Sequence, residues 1–484
     1  MSEITDKYEV VVGLEVHAQL LTKSKMYASD LNAYGTPPNT NVSVLTLGHP
    51  GTLPVVNKSA IEYAIRLGIA LECNIHRDMF FARKNYFYAD LPKGYQITQD
   101  NTPICTGGHV FILDTEGNEK QINITRIHME EDAGKSIHDQ DPVDTLIDLN
   151  RAGVPLVEIV SEPELRSGEE AYNYLNEVRR ILRYLEICDG NMEEGSMRCD
   201  ANISVRLKGT EEFGTRTEVK NMNSMRNVQK AIAFETKRQI EVIEGGGKIL
   251  QETLNFDAVT GKTYAMREKA SAHDYRYFPE PDLQPVALSE EQIEKVRAAM
   301  PTLPRQLFDK YTTELGLSAY DARVIIEHRS TSNYFERIIT HTQNAKAAVN
   351  WLTGDIRSYL NQNAIKLTEL KLEPERVAGL IELIDQGAIS YSVAAQKLFP
   401  LLLESTATAR ELAEQHDLLH EDNDDIIHEL MKDIMDKFPD KVAAYKAGNK
   451  ELLGLFMGEV MRNSKGKADP KKANKIVRTI LEES

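Results

Sequence analysis

The sequence predicts an α+β fold, and three features of its patterning point there. Before about residue 290, short alternating polar and apolar runs broken by Gly, Pro and Asn read as strands. Segments with helical spacing are interspersed among them. Beyond residue 290 the pattern is almost wholly helical. With 484 residues, the chain exceeds the size at which one core stops growing, so two or three domains are expected. They are placed at 1–290 for the α+β body, 291–405 for a helical connector and 406–484 for a small helical tail.

Each element has its own warrant. Strands are expected at 10–20, 110–113, 122–130, 201–207 and 215–220, where side chains alternate in polarity. Helices are expected at 58–72, 168–185 and 226–244, with apolar residues at helical spacing and good helix formers. The run Gly245-Gly246-Gly247 stops the last of these. Ser289 reads as an N-cap with acidic residues in the following turn. Pro301 and Pro304 break the chain once more, helices run on to Phe399, and Pro400 is expected to stop them. In the tail, Asn423-Asp424-Asp425 and Gly448-Asn449 read as joints.

Composition narrows the class. Hydrophobic content of 41% and charged content of 27% suit a globular protein with a sizeable core. Met1 to Lys7 is polar and acidic, unlike a signal peptide, and no apolar run could span a bilayer. Cys73, Cys105, Cys188 and Cys199 are scattered, which fits reduced thiols in the cytoplasm. A net charge of −17 argues against generic nucleic-acid binding. The tail departs from this balance: Arg462, Lys465, Lys467, Lys471, Lys472, Lys475 and Arg478 form a basic cluster around Gly466 and Pro470, able to dock an RNA locally.

The position of acidic residues within strands carries the chemistry. Every second strand residue shares a face. One face therefore carries Glu15, His17 and Gln19, another Arg126, His128, Glu130 and Asp132. A third carries Arg198, Asp200, Asn202, Ser204 and Arg206, a fourth Arg216, Glu218 and Lys220, and Glu158 lies between Leu156 and Val160. One such strand is an ordinary amphipathic strand. Four or five together, rich in Glu, Asp, His, Asn and Arg, describe a cup for hard cations and phosphates. His17, sharing a face with Glu15, is as much a ligand as a structural residue, and His128 is equally open. Three turn-rich segments, around Lys93-Gly94-Tyr95, Asn150-Arg151 and Asp274 to Asp282, add weight only together. The common phosphate loops, the nucleophile elbow and the zinc-protease helix motif are absent, and no thiol nucleophile is expected.

At these residues the chain resembles the B subunit of the tRNA-dependent amidotransferase family. The matching stretches are Val11 to Leu20, Leu91 to Gln99, Arg126 to Lys135, Asp148 to Pro163, Met192 to Ser204, Glu218 to Ser224 and Asp274 to Asp282. The resemblance implies an antiparallel cradle similar in fold to glutamine synthetase and the guanido kinases, with a tRNA-binding tail. It implies a heterotrimer with an amidase (A) subunit and a small C subunit. The amidase releases ammonia from glutamine. Here ATP phosphorylates the side-chain carboxylate of mischarged Glu-tRNA(Gln) or Asp-tRNA(Asn), and ammonia displaces the phosphate. Many members hold zinc between the first strand and first helix, but Lys25 to Asp30 and Asn41 to Thr46 contain no thiol, so no zinc is expected.

The expected metal site is Glu15, His17, Glu130, Glu131 and Asp200, for Mg²⁺. Lys220 joins these as a catalytic cation. Arg151 and Arg198 are expected at phosphate or carboxylate, with Glu158 and Glu218 also facing the cofactor. The rival reading is a non-catalytic tRNA-binding adaptor, which has no use for a carboxylate cup. A third, a free-standing ligase resembling glutamine synthetase, predicts activity on free glutamate.

Overall fold

In β1 (Tyr8–Gln19), Val12, Leu14, Val16 and Ala18 are fully buried while Glu15, His17 and Gln19 stay partly open on the other side. That alternation sets the strand at the centre of a large sheet, with a sealed face and an open one. The computed structural model describes residues 6–99, 101–138, 140–266, 275–419, 424–464 and 470–483. These fall into two units, Met1–Pro304 and Arg305–Ser484.

The first unit is α+β. Its main strands are β1, β2 (Ala82–Asn85), β3 (Tyr95–Thr98), β4 (Glu119–Glu131), β5 (Pro155–Ser161), β6 (Met197–Leu207), β7 (Thr217–Lys220), β8 (Thr253–Asp257) and β9 (Lys262–Ala265). In space they run β9-β8-β7-β6-β1-β5-β4-β3-β2. All these neighbours are antiparallel except the β7–β8 pair. His109–Leu113 pairs with β4, and Phe278–Pro279 lies outside β2.

Three helices cover the sealed face: α1 (Lys58–Ala70), α2 (Gly168–Tyr184) and α3 (Met225–Glu244). Asn57, Ser167 and Ser224 cap their N-termini by accepting a backbone N–H of the first turn. Ala60, Ala64, Leu67, Tyr174, Leu175, Val178, Val228 and Ile232 share one core with the apolar side of β1. Burying each large side chain contributes roughly 1.5–3 kcal/mol. Helix α3 ends where the glycine run predicts. Gly246 adopts φ +78°, and Gly247 N–H donates to Val242 O at 2.8 Å, closing the helix with a left-handed turn. The capped helix α4 (Glu290–Ala298) also belongs to this unit, since Ile293 is buried in the same core.

Among the described residues of the second unit there are helices and no strands. Pro400 does not stop its helix. It lies in the first turn of Phe399–Glu404, which continues directly from the π turn Ala394–Leu398. The wider turn accommodates a ring that has no N–H to donate. Trp351 is buried beside a second π turn, Leu352–Ile356, with its ring 5.3 Å from Tyr391 and 5.5 Å from Phe399. Ile427, Met431, Phe456, Val460, Val477 and Leu481 form a separate apolar cluster near the C-terminal end. Glycine again marks a joint, Gly448 at φ +111°. Asn423, Lys465, Gly466 and Lys467 lie outside the described residues, as does the side chain of Lys471.

Candidate active site

Strand register brings the polar faces together. Glu15 stands opposite Asp200, and His17 stands between Glu158 and Arg198. Glu158 faces His128, Leu156 faces Glu130 and Asn202 faces Glu218. These pairings stack carboxylates, imidazoles and cations along the open face of five adjacent strands. The result is a cleft of about 560 Å³ lined by His17, Lys84, Glu130, Asp132, Arg151, Glu158, Arg198, Asp200 and Lys220, among others.

Two ligand clusters emerge. In the first, donor atoms of His17, Glu130 and Glu158 lie within 4.8 Å of one another. His17 Nε2 is 3.2 Å from Glu158 Oε2 and 3.7 Å from Glu130 Oε1. His128 Nε2 stands behind, 3.4 Å from Glu158 Oε2 and 3.8 Å from Glu130 Oε2, and its buried Nδ1 has no hydrogen-bond partner. Burial alone would lower the pKa of His17, but the bond to Glu158 and the charges of Glu158 and Glu130 outweigh it and raise it to about 9. Burial alone would raise that of Glu158, yet His17, His128 and Lys84 hold it well below the carboxylate range.

In the second cluster, Glu15, Asp200 and Glu218 bring donor atoms equally close. Lys220 Nζ lies 2.5 Å from Asp200 Oδ2 and 2.7 Å from Glu218 Oε1, so an internal cation sits where a carboxylate pair draws positive charge. Asn202 Nδ2 donates to Glu15 Oε1 at 2.9 Å. Burial, then the charge of Glu158, raises the pKa of Glu15. Beside the clusters, buried Asp132 accepts from Gln19 Nε2 at 2.7 Å and from Arg198 Nη2 at 3.0 Å, with Arg151 Nε 3.7 Å away. Arg151 gives its closest bonds to the backbone oxygens of Ala133 and Gly134, at 2.9 and 2.6 Å.

Nine of the ten expected residues therefore gather on one face. Glu131 is the exception. Adjacent strand residues point to opposite sides, and Glu131 lies on the far side of β4 from Glu130. Its carboxylate accepts from Lys93 Nζ and, at 3.0 Å, from the Ile97 N–H, within a small pocket that also contains Lys25 and Tyr27. Sequence reasoning missed Lys84 and gave Asp132 no role. Strand β2, Ala-Arg-Lys-Asn, is too short and too charged to show alternation. Asp274 lies outside the described residues, but Asn85, next to Lys84, is bound through N–H and Nδ2 to Tyr275 O at 3.0 and 3.1 Å. Cys199 lines the cleft, yet burial pushes its thiol pKa well up, against a nucleophilic role.

Fold and cleft together define an α+β enzyme domain built to bring anions and cations together on an antiparallel sheet. Residues 10–294 match the family described as the GatB/GatE catalytic domain, and residues 333–481 match the GatB domain. The aspartyl/glutamyl-tRNA(Asn/Gln) amidotransferase B subunit of Thermodesulfovibrio yellowstonii is 47% identical over 99% of this chain and 100% of its own length. The protein of the same name from Chlorobium phaeobacteroides is 48% identical over 98% of this chain and 99% of its own. The chain belongs to the family of aspartyl/glutamyl-tRNA(Asn/Gln) amidotransferase B subunits.

Proposed function

We propose that the chain carries out the synthetic half of a glutamine-dependent tRNA amidation. ATP phosphorylates the side-chain carboxylate of mischarged Glu-tRNA(Gln) or Asp-tRNA(Asn), and ammonia then displaces phosphate to leave the amide. The observation that carries this reading is the pair of ligand clusters side by side on one sheet face, flanked by cations. An adaptor that only held tRNA would gain nothing from so many carboxylates held together.

The donor set fits a hard cation. The Glu15, Asp200 and Glu218 cluster is all oxygen, and Lys220 already occupies the point of highest demand for positive charge. His17, Glu130 and Glu158 would hold a second ion, with His128 steadying both carboxylates from behind. Bound Mg²⁺ would neutralise phosphate oxygens and align the nucleotide. Lys220 must release Asp200 and Glu218 as an ion enters, which frees its ammonium for the substrate. Arg198 and Arg151 stay beside Asp132 and face the cleft as anion contacts.

No described helix is long and apolar enough to cross a membrane, and the cytoplasm, where tRNA is charged, is the proposed location. Ammonia would come from an amidase A subunit, assembled with a small C subunit. Residues 1–290 would act as the catalytic cradle, 291–405 as the connector and 406–484 as the tRNA-binding tail. The test is Glu158→Gln in the reconstituted trimer. Cleavage of ATP that depends on mischarged tRNA should fall by at least about 100-fold with tRNA affinity intact. Undiminished cleavage would instead leave the adaptor reading standing.

A further inference from the structure

The cleft is lined by four lysine and arginine side chains, Lys84, Arg151, Arg198 and Lys220. Three are committed to carboxylates. Arg198 and Arg151 approach Asp132 at 3.0 and 3.7 Å, and Lys220 bridges Asp200 and Glu218. Lys84 has no carboxylate within 4.0 Å among the described residues. Its Nζ is held instead over aromatic rings, 4.7 Å from the centroid of Tyr275 and 5.9 Å from that of Tyr86. Ring faces stabilise an ammonium without neutralising it. The backbone that carries it is held as well: Lys84 pairs with Gln96 across β2 and β3, and the next residue, Asn85, donates from Nδ2 to Tyr275 O at 3.1 Å. Burial works to lower the pKa of Lys84, but the charges of Glu130, the nearby tyrosines and Glu158 outweigh it and raise it. A positive charge with no ion pair within 4.0 Å among the described residues thus lines the same cleft as His17, Glu130 and Glu158, in a chain of net charge −17.

We propose that Lys84 is a catalytic residue whose ammonium binds the equatorial oxygens of the phosphoryl group in transfer, an assignment that rests on the reading of the cleft given above. In the first step a side-chain carboxylate oxygen of the aminoacyl-tRNA bonds to the γ-phosphorus of ATP. The bond from that phosphorus to the β,γ-bridging oxygen breaks and its electron pair leaves on ADP. In the second, ammonia bonds to the acyl carbon and the acyl C–O bond breaks. One ammonia proton ends on the departing phosphate. Lys84 keeps its own protons in both steps. The charge of the phosphoryl group spreads over three oxygens, and an ammonium offers three rotatable donors to meet it. Because Lys84 gives up no ion pair to do so, its interaction is available at full strength when that charge develops.

The test uses the reconstituted trimer with mischarged tRNA, ATP and glutamine. Lys84→Met keeps the stem and removes the charge. It should slow tRNA-dependent ADP formation about 100- to 1,000-fold in single turnover, with KM for ATP, tRNA affinity and glutaminase rate changed less than about threefold. Lys84→Arg should recover at least about tenfold of the loss. Should Lys84→Met fold poorly, Lys84→Gln serves in its place. A neutral variant that forms ADP at the parental rate overturns the proposal, as does an arginine variant no faster than the neutral one. Glu158→Gln, run alongside, separates the two levels. If it loses ADP formation while Lys84→Met does not, only the role of Lys84 fails. If it keeps ADP formation, the reading of the whole cleft fails.

Discussion

Glu130 and Glu131 are one residue apart in sequence and have different partners. Glu130 belongs to the His17 and Glu158 cluster, whereas Glu131 holds Lys93 on the far side of the strand. Their amide variants should therefore separate. Glu130→Gln should abolish tRNA-dependent ATP cleavage, by at least about 100-fold, with the urea midpoint close to the parent's. Glu131→Gln leaves a buried ammonium unpaired and should cost about 3 kcal/mol in urea unfolding. Equal stability of the two proteins would contradict this division. The same logic explains why ten expected residues could be named and one misplaced. Residue type reveals that a carboxylate is unusual in a strand, but a pair of adjacent carboxylates must divide between the two faces, and nothing in their chemistry says which faces the cleft.

At the scale of elements, α3 is joined to the sheet by a polar knot under an otherwise apolar contact. Glu235 is fully buried. Its carboxylate accepts from Thr217 Oγ1 at 2.9 Å, Thr263 Oγ1 at 3.0 Å, Gln239 Nε2 at 3.0 Å and Arg238 Nη2 at 2.7 Å. Burial works to raise its pKa, but the Arg238 and Gln239 bonds and the Arg238 charge lower it below 4.5. The folded state thus binds this proton more weakly than the unfolded chain does. Its stabilisation is present in full above the unfolded value of 4.5 and is lost as pH falls through the lower folded value. Glu235→Gln should reduce stability at pH 7 and flatten the acid limb of the curve below pH 4.5, as read by urea titrations at several pH values. A curve of unchanged shape would rule out this account. Other elements were open to sequence reasoning because local signals and packing agree. The Ser289 cap, the glycine stop and the alternation of β1 all appear where the pattern places them. Strands β2 and β9 carry no such signal, since their neighbours rather than their own residues make them strands.

For the whole molecule, the proposed division of labour between body and tail makes a direct prediction. Helix Pro470–Glu483 exposes Lys472, Lys475 and Arg478 at a spacing of three, on a helix whose Ala473, Val477 and Leu481 are buried in the tail's own cluster. On the proposed reading such a basic ridge would meet phosphates without reading bases. Removing residues 406–484 should raise KM for aminoacyl-tRNA and leave amidation at saturation nearly unchanged. It should also flatten the dependence of log affinity on log salt, by roughly one unit for each phosphate no longer neutralised. Parental affinity and salt slope in the truncated trimer would assign the tail another task.

By itself the sequence determined the class of the protein, the polar strand faces and most of their members, because period-two alternation and residue chemistry are local properties. It could also place the family, since long ordered motifs survive in one dimension. Only the tertiary structure decided which polar faces meet. The antiparallel register aligns Glu15 with Asp200 and His17 with Glu158 across strands more than a hundred residues apart in the chain. The same register sends Glu131 away from the cleft and brings in Lys84 from a strand without a pattern of its own. The physical reason is that a cation's role depends on which anions lie within a few ångströms of it. That distance is set by how strands pair, not by the residues on either side of it in the chain.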